Sequence, residues 1–216
     1  QNLSNGRLEL GIGAGWYSGE HEMFGVNLPE TKERLNLLEE YIQILKGLWN
    51  KDDFSFQGVH HRIEKASMNP KPISNIPIIV GGMASRTIDI SVRCGDEWNG
   101  YYLTHEKLKK KLSLILELEK KYKKSIKKTI MLPFVIGDST EKILNHLKKC
   151  NTVFTNLPTD IKEWQKMGYL GGNPEQIVDQ VATYKSMGID HIILEHLDIE
   201  NDVAIDDLNG KVLTQL

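Results

Sequence analysis

Between Arg7 and Gly25 the chain gathers the residue types that a ligand-binding strand end needs. Leu8, Leu10 and Ile12 alternate as a short apolar strand, and Gly11, Gly13 and Gly15 stand at every second position towards its end. A glycine there has no Cβ, so a flat ligand can lie against the backbone. Trp16 and Tyr17 follow at once and can shape a ring pocket. Then comes the acid–imidazole pair Glu20 and His21, the catalytic candidates on the substrate side. The same residues also fit a glycine-softened strand that runs into a surface loop, with His21 as a cap or surface residue. One reading is excluded by spacing. A dinucleotide fingerprint needs G-x-G-x-x-G opening into a helix. The chain has G-x-G-x-G, and its next helix is expected only near Pro29.

A second glycine cluster carries clearer physics. Ile78-Ile79-Val80 is a wholly apolar run, the pattern of a strand buried on both faces, and it ends in Gly81-Gly82. Met83, Ala84, Ser85, Arg86 and Thr87 then enter a helix. Unpaired N–H groups and the dipole at a helix start favour an anion, and two glycines let a phosphate approach. Ser85, Arg86 and Thr87 can add side-chain donors. The alternative is a tight strand–helix turn that uses glycine for geometry alone. Two further strand ends offer polar groups: Trp98 and Asn99, and Glu195 and His196. In parallel α/β proteins ligands bind at the carboxyl ends of strands.

Other chemistry finds no constellation. His60 and His61 are adjacent and point to opposite faces of a strand, as surface residues do. His105, His146 and His191 stand alone, and no metal site is expected. No G-x-S-x-G nucleophile motif occurs. Cys94 and Cys150 have no metal-ligand spacing and read as reduced thiols of a cytoplasmic protein.

These groups must be held by an alternation of strands and helices. Leu35, Leu38, Ile42, Leu45 and Trp49 mark an amphipathic helix over 30–49, with Pro29 at its first turn. Phe54, Phe56, Val59 and Ile63 mark a small hairpin over 53–65. Pro70, Pro72 and Pro77 punctuate an extended linker. After 78–80 come a helix stopping near Gly95, a short strand at 96–99, and a helix through Leu108, Leu112, Ile115, Leu118 and Tyr122. An apolar strand is expected over 129–136, although Pro133 argues against a central place. A helix over 140–150 precedes an irregular excursion over 151–172. Asn173-Pro174-Glu175-Gln176 reads as a capped helix start, and Gly188 as its end. The last strand is 189–194, and a C-terminal helix covers 203–215.

About five strands alternating with helices imply a parallel sheet covered by helices. A closed (β/α)8 barrel takes about 250 residues. The chain fits its C-terminal five or so units as one domain over 1–216, part of a longer protein whose first three units lie upstream. The first and last strands are then expected to leave open edges. A complete open sheet is the structural alternative. Hydrophobic residues at 40% and charged residues at 26% fit a globular protein, and a net charge of −2 does not point to nucleic acid. The lysines at 107–111 and 120–128 read as the solvated face and end of a helix. No apolar run is long enough for a membrane span, and no signal peptide is expected.

Taken in order, the segments Asn5 to Trp16, Glu20-His21 with Phe24-Gly25, Arg34-Leu35 with Glu39-Glu40, Pro77 to Gly82, Gly95 to Asn99, and Gly172 to Gln176 carry a family likeness. The chain resembles the luciferase-like monooxygenase superfamily, and within it the oxidoreductases that use the deazaflavin coenzyme F-420. The resemblance implies a TIM barrel with the flavin or deazaflavin at its C-terminal face. It implies that Gly81 and Gly82, followed by Met83 and Ala84, approach the cofactor phosphate. Gly13, Ala14 and Gly15 then border the ring or ribityl chain, with Trp16 at the mouth of the cleft. Some relatives have a catalytic glutamate at the position of Trp16, and that mechanism does not carry over. The family's first three strands, which often hold a catalytic His or Asp, lie before the matching region. The implied reaction is hydride transfer between an organic substrate and coenzyme F-420. Two alternatives stay open: a monooxygenase using reduced FMN, and a non-catalytic barrel piece or binding protein. The implied partners are a small-molecule substrate and, in the full-length protein, a second copy of the chain as a homodimer.

Overall fold

The computed structural model describes residues 1–154 and 156–216. Their contacts divide them into two units, Gln1–Trp98 with Ile115–Ile126, and Asn99–Leu114 with Lys127–Leu216. The first unit contains β1 (Leu10–Ile12), α1 (Ser18–Met23), α2 (Thr31–Asn50), hairpin strands β2 (Phe54–Gln57) and β3 (Arg62–Ala66), β4 (Ile78–Gly81), α3 (Ser85–Cys94) and the start of β5 (Glu97–Tyr101). β1 and β4 pair in parallel, Leu10 opposite Ile78 and Ile12 opposite Val80, and β5 is the other neighbour of β4.

The three- and four-residue apolar spacing of α2 becomes packing. Leu35, Leu38 and Ile42 bury against Ile78 and Val80 of β4 and Ile90 of α3. Each such side chain contributes about 1.5–3 kcal/mol on burial, so this face fixes the helices on the strands. The strand is covered on one face only within the unit, which corrects the two-sided expectation for 78–80. Ile78 and Val80 are buried, whereas Ile79 and Gly81 are partly exposed. Successive strand residues alternate in direction, so Gly11, which pairs with Ile79, shares that uncovered face. A short helix, α1, also forms ahead of Pro29, where the sequence predicts none.

The hairpin is tied to α2 by one buried carboxylate. Glu40 accepts from the backbone N–H groups of Val59, His60 and His61 at 2.6, 3.2 and 3.0 Å, and its Oε2 lies 2.9 Å from His61 Nδ1. The two histidines therefore occupy the β2–β3 turn rather than opposite faces of a strand. Burial alone would raise the Glu40 pKa, but the His61 hydrogen bond and three backbone amides outweigh it and bring it down to about 2. At the sheet end, Asp96 accepts from Ile78 N–H and Lys46 Nζ, both at 3.0 Å. Arg93 forks onto Glu39 at 2.6 and 3.0 Å.

Helix α4 (His105–Tyr122) begins in the second unit and ends in the first. The second unit continues with β6 (Lys127–Ile136), α5 (Thr140–Val153), α6 (Ile161–Lys166), β7 (Leu170–Gly172), α7 (Pro174–Ser186), β8 (His191–Glu195), α8 (Asp202–Lys211) and a 3-10 turn over Leu213–Gln215. β6 changes partner along its length. Thr129 to Pro133 pair in parallel with His191 to Glu195, and Phe134 to Ile136 pair in parallel with Leu170 to Gly172. Pro133 falls at that changeover, which explains how a buried strand accommodates a residue without an N–H.

The excursion expected over 151–172 contains α6 and β7. A Leu-Gly-Gly strand has no apolar alternation to announce it. Its glycines admit close packing instead: a Cβ on Gly171 would lie 2.8 Å from Ile161 and 2.9 Å from Trp164. The fully buried Trp164 donates from Nε1 to the Leu170 carbonyl at 2.8 Å. The cap of α7 forms as the sequence predicts, with Asn173 and Gln176 exchanging side chain-to-backbone hydrogen bonds at 2.9 Å. Among the described residues β1 has β4 as its one sheet partner and β8 has β6, which leaves one edge of each unpaired.

Candidate functional site

The parallel pairing of β1 and β4 puts Gly13 and Gly81 beside each other at the same strand end. A Cβ on Gly13 would meet nothing closer than the Gly81 carbonyl at 3.8 Å, and one on Gly81 nothing closer than the Ile12 carbonyl at 3.9 Å. A Cβ on Gly11 would meet nothing within 4 Å. Packing inside the unit therefore does not require glycine at these positions, and the bare backbone forms a flat surface open to a ligand. Gly82 and Gly15 differ. Gly82 sits at φ +146°, where a Cβ would lie 2.7 Å from Thr87 Cγ2, and Gly15 sits at φ +73° against His21. Both need glycine for the backbone itself.

Beyond Gly82, Met83 is half-buried and Ala84 is the exposed N-cap of α3, with no side-chain cap hydrogen bond. The first amides of this ten-residue helix are thus left without the usual side-chain acceptor. Trp98 Nε1 donates to the Gly82 carbonyl at 2.8 Å. Trp98 is fully buried, so it props the glycine turn from within and does not present itself at the strand end. The side-chain donors expected beside the turn are reduced in number. Arg86 reaches to α2, donating to the Lys32 carbonyl at 3.4 Å and to Asn36 Oδ1, and Thr87 is buried. Ser85 remains exposed at the helix start.

Trp16 is 82% exposed and its ring lies 5.4 Å from that of Tyr17. Glu20 and His21 share α1, but only His21 turns towards the glycines. His21 Nδ1 is 3.0 Å from the Tyr17 carbonyl oxygen. A carbonyl can only accept, so Nδ1 holds the proton and Nε2 is the acceptor of the neutral ring. His21 lines a cavity of about 220 Å³ with Gly13, Ala14, Arg34, Leu38 and Tyr41. Arg34 Nε is buried there without a hydrogen-bond partner. Glu20 is exposed and does not line this cavity.

In the second unit the strand ends present polar side chains. Tyr102, one residue past β5, donates its phenol to Glu195 Oε2 at the end of β8. Burial, and then the Glu195 carboxylate, push the phenol pKa well above its ordinary range. The Tyr169 ring lies 5.4 Å from that of Tyr102. Glu195 and His196 part company. His196 stacks on Phe134 at 5.4 Å and meets His146 edge-on at 6.0 Å, with both of its ring nitrogens buried and without partners. His146 accepts from Ile136 N–H at 3.2 Å, and burial holds its pKa below the ordinary range. Sequence reasoning missed Tyr102, and it carried Arg34 only as part of the family likeness and not as a site residue. Tyr102 sits at φ +50°, a backbone state that no local residue pattern signalled. Among the described residues no group of three His, Cys, Asp or Glu side chains is arranged to hold a metal ion, and no helix is long and apolar enough to cross a membrane.

The family model described as luciferase-like monooxygenase matches residues 1–191. An FMNH2-dependent dimethylsulfone monooxygenase of Pseudomonas fluorescens is 26% identical over 93% of this chain and 63% of its own length. An F-420-dependent glucose-6-phosphate dehydrogenase of Amycolatopsis mediterranei is 23% identical over 99% of this chain and 71% of its own. The structure of an F-420-dependent secondary alcohol dehydrogenase, in complex with an F-420–acetone adduct, superimposes with a TM-score of 0.78 at 19% identity, covering 98% of this chain and 70% of that one. The chain therefore spans about two thirds of the length of these proteins, and it belongs to the luciferase-like monooxygenase family.

Proposed function

We propose that the protein carrying this chain is a flavin- or deazaflavin-dependent oxidoreductase that moves hydride between coenzyme F-420 and a small organic substrate. The observation that carries this reading is the open Cβ space at Gly13 and Gly81, on adjacent parallel strand ends that lead to a helix start without a side-chain cap. Those residues fit a flat ring system with a phosphate-bearing tail. Gly13, Ala14, Gly15 and Trp16 would hold the ring side, and Gly81, Gly82, Met83, Ala84 and the first amides of α3 the phosphate. When bound, the cofactor supplies the hydride chemistry, and the protein supplies orientation and electrostatics. His21 Nε2 is an acceptor beside these glycines, where it can orient a polar group of the bound molecule. Glu20, exposed on the same helix, takes the lesser part.

Gly81→Val tests this directly. It adds bulk on the open face without touching the turn, so cofactor affinity should fall by about tenfold to a hundredfold, or ~1.4–2.8 kcal/mol, with the melting temperature unchanged. Unchanged affinity removes the glycine face from the site. The dimethylsulfone monooxygenase likeness supports reduced FMN as the second reading. The cofactor retained on purification separates the two, with absorbance at about 420 nm for the deazaflavin and about 450 nm for oxidised FMN. Binding of neither would leave a non-catalytic protein. The proposal extends to a single domain over 1–216 as the C-terminal part of a barrel, to a cytoplasmic homodimer of the full-length protein without nucleic-acid partners, and to a reducing compartment, which two free cysteines support.

A further inference from the structure

The second unit leaves polar groups at its strand ends that its own packing does not satisfy. Tyr102 adopts φ +50°, a left-handed conformation disfavoured for an aromatic residue, and in that conformation its phenol reaches Glu195. Both residues are half-buried. On β5, three residues earlier, Asn99 Nδ2 is buried with no hydrogen-bond partner. A buried amide left unsatisfied is unfavourable unless a ligand or water completes it. A carboxylate has two oxygens and accepts only. With one oxygen committed to the Tyr102 phenol, Glu195 keeps acceptor capacity directed by a fixed neighbour.

We propose that Glu195, positioned by Tyr102, accepts the hydroxyl hydrogen of the substrate and thereby selects alcohols over the matching ketones. This rests on the reading that strand ends of this chain hold the substrate. A hydroxyl donates to the carboxylate, whereas a ketone places one acceptor against another. The Tyr101 and Tyr169 rings lie 6.3 and 5.4 Å from that of Tyr102, so apolar ring surface stands near the pair for the carbon skeleton of such a substrate. Glu195 is the specificity-determining contact, and Tyr102 is a positioning residue that acts through it.

The test uses the full-length protein with its retained cofactor and titrates cyclohexanol and cyclohexanone by ligand-observed NMR. The unaltered protein should bind the alcohol about tenfold to a hundredfold more tightly, the range of a charge-assisted hydrogen bond. Glu195→Gln, whose amide can also donate, should bring the two ligands within about twofold. Tyr102→Phe keeps the charge but frees the carboxylate, and should cut the preference by at least about threefold. That variant decides the matter if Glu195→Gln does not fold. Cofactor affinity, titrated alongside, should be the same in all three proteins. An alcohol preference absent from the unaltered protein, or retained in the variants, overturns the assignment. Loss of cofactor binding in the unaltered protein while the preference persists overturns the proposed cofactor reading and leaves this one standing.

Discussion

The two units treat buried polarity differently, although the first also keeps a buried atom without a partner, Arg34 Nε beside the His21 cavity. In the first, the buried carboxylate of Glu40 is fully engaged by turn amides and His61, and Asp96 and Glu39 are engaged by Lys46, the Ile78 amide and Arg93. Its open surface is bare glycine backbone. In the second, Asn99, His146 and His196 keep buried polar atoms without partners, and Glu195 holds one phenol. A polar group whose hydrogen bonds are all made locally serves the fold. One left incomplete is where water or a bound molecule can complete the set. The first unit presents bare backbone at its strand ends, and the second presents hydrogen-bonding side chains at its own.

The largest effect that could break this contrast comes from the two neighbouring glycines. Gly82→Ala forces a Cβ into Thr87 at an unfavourable φ, so it should lower folding stability by about 1–3 kcal/mol, read by denaturant unfolding. Gly81→Ala should leave stability unchanged. Equal loss in both variants would mean that Gly81 is structural and that the open face is not a ligand surface.

Next in size is the acid response of the hairpin. The Glu40 pKa lies near 2 in the folded protein against 4.5 for an ordinary glutamate. The unfolded chain therefore binds the proton first, and the stabilisation present above pH 4.5 is lost as pH falls from there to about 2. In Glu40→Gln the unfolding free energy should fall less steeply across that window, and amide exchange at 59–61 should quicken at every pH. An unaltered slope would remove Glu40 from its anchoring role.

The smallest predicted effect belongs to the second unit. Burial lowers the His146 pKa, so protonation favours the unfolded chain. Stability is full above the ordinary histidine value of 6.5 and declines as pH falls below it. His146→Asn should flatten that part of the profile, and NMR titration should show the ring neutral at pH 6.5. A ring that titrates at its ordinary value would mean that water reaches this cluster, and the contrast between the units would narrow.

Sequence legibility followed the same division. Gly13 and Gly81 were readable because a missing side chain is a local property and the parallel pairing of their strands follows from alternation. The amphipathic faces of α2 and α7, and the Asn173 cap, were readable for the same reason. Glu40 was not, because its partners lie about twenty residues away on a turn whose conformation the helix itself fixes. Nor was Tyr102, which meets Glu195 across 93 residues of sequence. β7 escaped because a Leu-Gly-Gly strand is specified by the tryptophan that packs against it.

The amino-acid order by itself determined the α/β class, the two glycine turns and the family, since periodicity, capping and backbone freedom are set within a few residues of each position. The tertiary structure decided which polar groups are satisfied. It turned Arg86 towards α2, buried Trp98 behind Gly82 and brought His21 to Gly15. It also placed the Tyr102 phenol on Glu195, because a hydrogen bond's partner depends on where distant backbone comes to rest.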